Sequence, residues 1–255
     1  MRLHVVSDVH GSVEALARAG DGADALVCLG DLVLFLDYDD HRQGIFADLF
    51  GSDAASRLIA LRTARRFEDA RAFSAGLWAR FGADRGSVIE EAIFRQYERL
   101  FEVLPTPTYL TYGNVDVPAM WPRFLRDGLH VLDGQAVEIG GRRFGFVGGG
   151  LRTPMRTPYE IDEDVFDAKV AAIGDVDVLC SHIPPAIPEL LYDVVGRRME
   201  RGSAALLALV RRSQPEFMLF GHVHNPLAGR TRVGRTECVN VGHFRGRGTP
   251  YVLQW

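Results

Sequence analysis

Two pairs of side chains, each pair separated by a single residue, set the chemistry of this 255-residue chain. Asp8 and His10 lie near its start, and His222 and His224 lie toward its end in Gly221-His222-Val223-His224. Carboxylate and imidazole are metal-ligating groups, and at a strand end turning into a loop this spacing lets both side chains reach one point. Asp31, Asn114 and His182 lie between the pairs, each at the end of an apolar run. The set holds two carboxylates, one amide and four imidazoles. Oxygen and nitrogen without thiolate suit manganese, iron, zinc, cobalt or nickel better than a structural cysteine-type zinc. Seven ligand groups are too many for one tetrahedral ion, and their number fits two ions that share a bridging carboxylate. The chemistry such a pair supports is metal-assisted hydrolysis.

The elements that must position these groups can be read from the apolar runs. Residues 3–7 predict a first strand, residues 13–19 a helix capped by Ser12, and residues 25–29 a second strand ending at Gly30-Asp31. Strand character returns at 108–112 before Gly113-Asn114, at 176–180 before Ser181-His182, and at 217–220 before Gly221-His222. In α/β sheets ligands gather at the carboxyl ends of strands, so five strand ends could converge on one cleft. Further strands are expected at 130–132, 136–139 and 143–147, and helices at 160–173 and 203–212. Residues 38–103 repeat apolar positions at helical spacing and predict two or three helices inserted between core strands. The expectation is one domain, 1–255, carrying this insertion; Trp78 and Phe81 would pack inward or onto a second subunit. Gly148-Gly149-Gly150 predicts a tight loop beside the cleft rather than a phosphate cradle.

Composition narrows the class. The chain is 47% hydrophobic and 24% charged, with a formal net charge of -4. That balance gives no electrostatic case for binding nucleic acid. Cys28, Cys180 and Cys238 are odd in number and lack CxxC spacing, which predicts free thiols in a reducing compartment. No apolar run approaches the length of a membrane span, and the first strand begins too early for a cleavable leader, so a cytoplasmic protein is expected.

Asp-x-His, Gly-Asp, Gly-Asn, His and Gly-His-x-His, in that order and each after an apolar strand, resemble the calcineurin-like metallophosphoesterase superfamily. The resemblance covers the chain apart from the helical insertion. It implies a layered α/β fold, a four-layer sandwich of two mixed β-sheets with flanking helices, and a dinuclear centre. It implies that Asp8, His10 and His224 hold one ion, that Asn114, His182 and His222 hold the other, and that Asp31 bridges them. It implies two divalent cofactor ions, manganese foremost, with iron, zinc, nickel, cobalt and magnesium as alternatives. The implied activity is hydrolysis of a phosphoester, small or nucleotide-like, by a metal-bridging hydroxide. The same fold can also serve as an interaction scaffold with an impaired metal site, but every ligand position is filled here.

One position departs from the pattern. The superfamily's Gly-Asn-His-Asp/Glu motif reads Gly113-Asn114-Val115-Asp116 here, and valine can neither protonate a leaving group nor steady a phosphate. A branch of small prokaryotic phosphodiesterases also lacks that histidine, and the chain resembles that branch. Asp116 keeps the motif's acid and is expected to orient the ligands through hydrogen bonds. His243, which follows the apolar run 238–241, is the alternative proton donor, and Arg152 after the glycine triplet is a candidate phosphate contact.

Overall fold

Short apolar runs assemble into two large mixed sheets in the computed structural model, which describes residues 1–255. The chain divides into two compact units, one of Met1–Leu32 with Leu100–Trp255 and one of Val33–Arg99. Both sheets belong to the first unit. The five-stranded sheet runs Tyr251–Gln254, Arg2–Val6, Ala25–Cys28, Thr108–Leu110, Leu129–Val131, antiparallel only at its first pairing. The six-stranded sheet runs Arg230–Val233, Thr236–Asn240, Phe217–Phe220, Val178–Ser181, Arg142–Val147, Gln135–Ile139, antiparallel at its two outer pairings.

The parallel strands read as continuous apolar runs because both of their faces are buried. Leu3, Val5 and Val27 from one sheet meet Phe144, Phe146, Val178 and Leu219 from the other, so the principal core lies between the sheets. Leu179, Met218 and Phe220 alternate to the opposite face. There they pack against Phe166 and Val170 of the helix Glu163–Ile173 and Leu206 and Val210 of the helix Ala204–Ser213. This is the layered arrangement of two mixed sheets with flanking helices that the family resemblance implies. Register places the strand ends level: Val6 pairs with Cys28, and Cys28 with Leu110. The loops that follow therefore leave the sheet side by side.

Local departures have identifiable causes. Ser203 caps its helix by accepting the Leu206 N–H, whereas the Ser12 side chain makes no capping bond to the helix Val13–Ala17. The helix expected at 160–173 starts at Glu163, because Glu160–Ile161 is drawn into parallel pairing with Gly150–Leu151. The inserted segment holds four α-helices, Ile45–Phe50, Ser52–Thr63, Phe67–Trp78 and Arg85–Val103, where two or three were expected. Within the second unit Trp78 is buried against Phe35, Phe46 and Phe50, and Phe81 packs beside it, which is the inward of the two options. No helix is long and apolar enough to cross a membrane.

Candidate metal centre

Four of the seven predicted ligands sit in left-handed backbone immediately beyond a strand. The φ angles are 57° at Asp8, 41° at His10, 55° at Asp31 and 68° at His222. Aspartate and histidine tolerate this region better than bulkier residues, but such conformations persist only where neighbours enforce them. The enforcement is visible. Asp8 N–H donates to Gly30 O at 3.1 Å and His10 N–H to Asp31 O at 2.9 Å, lacing the first loop to the second. Across the site the His222 N–H donates to Asp8 Oδ2 at 2.9 Å. Gly221 permits that approach, since a Cβ there would lie 2.0 Å from Ser7 Oγ and 2.4 Å from Asp8 Oδ2.

The side chains gather into two neighbouring groups joined by Asp31. In the first, His224 Nε2 lies 3.3 Å from His10 Nε2 and 3.3 Å from Asp8 Oδ1. His10 Nε2 is 3.9 Å from Asp8 Oδ1 and 3.8 Å from Asp31 Oδ2. In the second, His182 Nε2 is 2.9 Å from Asn114 Oδ1 and 3.4 Å from Asp31 Oδ1. The His222 ring stands edge-on to His182, with centroids 5.2 Å apart. The two oxygens of Asp31 thus face different partners.

These groups fit cation ligation. Asp8 Oδ1 is buried and receives no well-formed hydrogen bond. His182 Nδ1 donates to Leu29 O at 3.0 Å, which turns Nε2 toward two acceptors, Asn114 Oδ1 and Asp31 Oδ1. Atoms bonded at about 2.1 Å to a common ion lie about 3.0–3.4 Å from one another, and the shorter contacts here fall close to that range. Charge follows the same logic. Burial opposes ionisation of Asp8, yet His224, His182 and His10 outweigh it and hold the carboxyl well below its usual value. Burial likewise opposes a charge on His182, but Asp31, Asp8 and Asp116 push it up to about 9. The carboxylates therefore demand positive charge at the centre.

The remaining predicted residues fall around this cluster. Asp116 is buried and accepts N–H groups from Gly113 at 2.8 Å, Asp31 at 2.8 Å and Leu32 at 3.0 Å. It ties the Asp31 and Asn114 loops together. Burial and the Asp31 charge push its carboxyl up to about 7 against the pull of those bonds. His243 stacks face to face on His224, with centroids 3.9 Å apart and planes 5° from parallel, and stands edge-on to His10. Burial and the neighbouring His224 push its pKa down to about 3. The Arg152 guanidinium is exposed and engaged by Asp162. In the glycine triplet the Gly148, Gly149 and Gly150 N–H groups donate to Asp133, Tyr112 O and Tyr159 O, which leaves none for a phosphate. Sequence reasoning passed over Thr157, whose hydroxyl oxygen accepts the Asn114 Nδ2 hydrogen at 2.9 Å.

The family described as calcineurin-like phosphoesterase matches residues 82–226, more than half of the chain. The match contains Asn114, His182, His222 and His224, begins after Asp31 and ends before His243. A solved crystal structure is similar over 99% of this chain and 98% of its own, with a TM-score of 0.58 and 14% sequence identity. At that identity the likeness shows the fold alone. No curated protein matches the chain.

Proposed function

The chain belongs to the calcineurin-like phosphoesterase family, and from that premise we propose that it is a metal-dependent hydrolase of phosphodiesters and activated phosphomonoesters. The observation that carries the reading is the placement of Asp31, with Oδ2 toward His10 and Oδ1 toward His182. One ion would be held by Asp8, His10 and His224, the other by Asn114, His182 and His222, with Asp31 shared. Two bound divalent ions, manganese first among the candidates, supply Lewis acidity that lowers the pKa of water and screens phosphate charge.

The chain's own groups set the geometry. Val115 N–H donates to Asp31 Oδ1 at 3.0 Å and fixes the rotation of the shared carboxylate. Asp116 fixes the backbone on either side of it. The substrate preference follows from what is missing beside Asn114. Val115 offers no proton, and His243 is stacked on His224, in the group of ligands away from Asn114. A leaving group that needs no strong acid is therefore favoured, as in aryl or nucleotide-type diesters. A substrate role for Arg152 requires exchange of Asp162 for phosphate. The buried free thiols of Cys28, Cys180 and Cys238 support a reducing, cytoplasmic setting.

The test is a screen of protein reconstituted with Mn²⁺, Zn²⁺, Fe²⁺, Ni²⁺, Co²⁺ or Mg²⁺. It compares bis-p-nitrophenyl phosphate, p-nitrophenyl phosphate, cyclic nucleotides and glycerol phosphate. Aryl and nucleotide diesters should turn over about a hundredfold faster than the alkyl monoester, the span that a general acid would otherwise close. No turnover with any ion overturns the hydrolase reading in favour of a scaffold protein.

His243 provides a separate expectation. Aromatic stacking contributes modestly, so His243→Ala should lower turnover about three- to tenfold while His243→Phe, which keeps the stack, stays near wild type. Equal loss in both variants, growing with leaving-group pKa, would assign His243 as the proton donor.

A further inference from the structure

We infer that Thr157 is a positioning residue that determines which end of the Asn114 amide faces the metal centre, and that Glu160 sets the direction of the Thr157 hydroxyl. The inference rests on the metal-centre reading above.

An asparagine amide is nearly symmetric in shape but not in chemistry. Its oxygen can ligate a cation, whereas its NH₂ group turned inward would repel one. Something must therefore choose the rotamer. Thr157 Oγ1, 2.9 Å from Asn114 Nδ2, cannot choose alone, because a hydroxyl both donates and accepts. Glu160 removes the ambiguity. An ionised carboxylate only accepts, and Glu160 Oε1 lies 3.0 Å from Thr157 Oγ1 and 2.7 Å from Thr153 Oγ1. Glu160 Oε2 accepts the Thr153 N–H at 2.7 Å. The Thr157 proton consequently points to Glu160, a lone pair points to Asn114 Nδ2, and Asn114 Oδ1 is left facing His182 Nε2 at 2.9 Å.

The backbone keeps this relay in register with the site. Tyr159 N–H donates to Asn114 O at 2.8 Å, and Gly150 N–H donates to Tyr159 O at 3.0 Å. Pairing of Glu160–Ile161 with Gly150–Leu151 anchors the far side of the loop. A half-buried network anchors its middle: the Tyr159 hydroxyl donates to Asp133 at 2.9 Å and Lys169 Nζ donates to the same oxygen at 2.7 Å. The loop between Leu151 and Glu160 thus holds one ligand residue twice, its backbone through Tyr159 and its side-chain amide through Thr157.

The experiment uses full-length protein with Co²⁺ as the probe. Stoichiometry and affinity for each ion are read by chelator competition in the absence of substrate. Thr157→Val, which keeps the shape and loses the acceptor, should weaken one of the two ions about ten- to a hundredfold and leave the other unchanged. Thr157→Ser should restore wild-type affinity, and Glu160→Gln should resemble Thr157→Val. The inference is overturned if Thr157→Val holds both ions as tightly as wild type, or if the valine and serine variants lose both ions alike. Wild-type protein that binds no Co²⁺ overturns the metal-centre reading and this inference together. Wild-type protein that binds two ions and shows the variant pattern, yet hydrolyses no phosphoester, supports this inference and overturns only the hydrolase reading.

Discussion

Asp31→Asn is expected to lower phosphoester turnover about a thousandfold or more and to leave no more than one ion tightly bound. The substitution preserves shape, so its effect isolates charge and donor–acceptor polarity. Val115 N–H, 3.0 Å from Asp31 Oδ1, needs an acceptor and would hold the amide oxygen on that side. The amide NH₂ would then replace Oδ2, the atom 3.8 Å from His10 Nε2. Around it stand Asp8, His10 and His224, which would lose a shared anionic ligand and gain a donor. The ion on that half should be lost first, and the ion beside His182 and Asn114 should be weakened by the missing charge. Elemental analysis of the reconstituted variant, alongside turnover of bis-p-nitrophenyl phosphate, measures both effects. Two ions retained at wild-type affinity would sink the assignment of Asp31 as the bridge.

The residues in that argument were legible in the sequence for a physical reason. Parallel strands buried on both faces read as unbroken apolar runs. A polar metal-type residue at the end of such a run marks the carboxyl edge of a sheet. Because Val6, Cys28 and Leu110 lie in register, the groups that follow them reach the same edge. What stayed hidden was set by contacts distant in sequence. Glu160 reads as the first residue of a helix, but its pairing with Gly150 pulls it into a strand and turns its carboxylate toward Thr157. Thr157 carries no periodic signal, and only the fold shows that it meets Asn114. His243 follows the last motif in sequence and stacks on its His224. Its partner, however, is fixed by the stacking of one imidazole on another, which spacing cannot reveal. The helix boundary at Gly51 was likewise missed, because the apolar period continues on both sides of it.

Gly30→Ala is expected to destabilise the protein by about 3 kcal/mol or more and to reduce metal loading as a consequence. The residue has φ 93°, where an L side chain is already strained. An alanine Cβ would also lie 1.9 Å from Gly113 N and 2.4 Å from Tyr112 C. Those are backbone atoms, so no rotamer change can relieve the clash; the loops after two adjacent strands would have to separate. Asp31 and Asn114 sit at the tips of those loops, and Asp116 spans them by accepting N–H groups from both Gly113 and Asp31. Separation would therefore misplace the shared carboxylate as well as unpack the strand ends. Gly22→Ala supplies the control, since it has φ 78° with nothing within 4 Å of the added atom, and strain alone should cost it about 1–2 kcal/mol. Urea unfolding of the two variants separates conformational strain from backbone collision. Equal losses would mean that the left-handed conformation alone explains Gly30; a larger loss at Gly30, with fewer ions bound, would locate the requirement in the close approach of the two ligand-bearing loops.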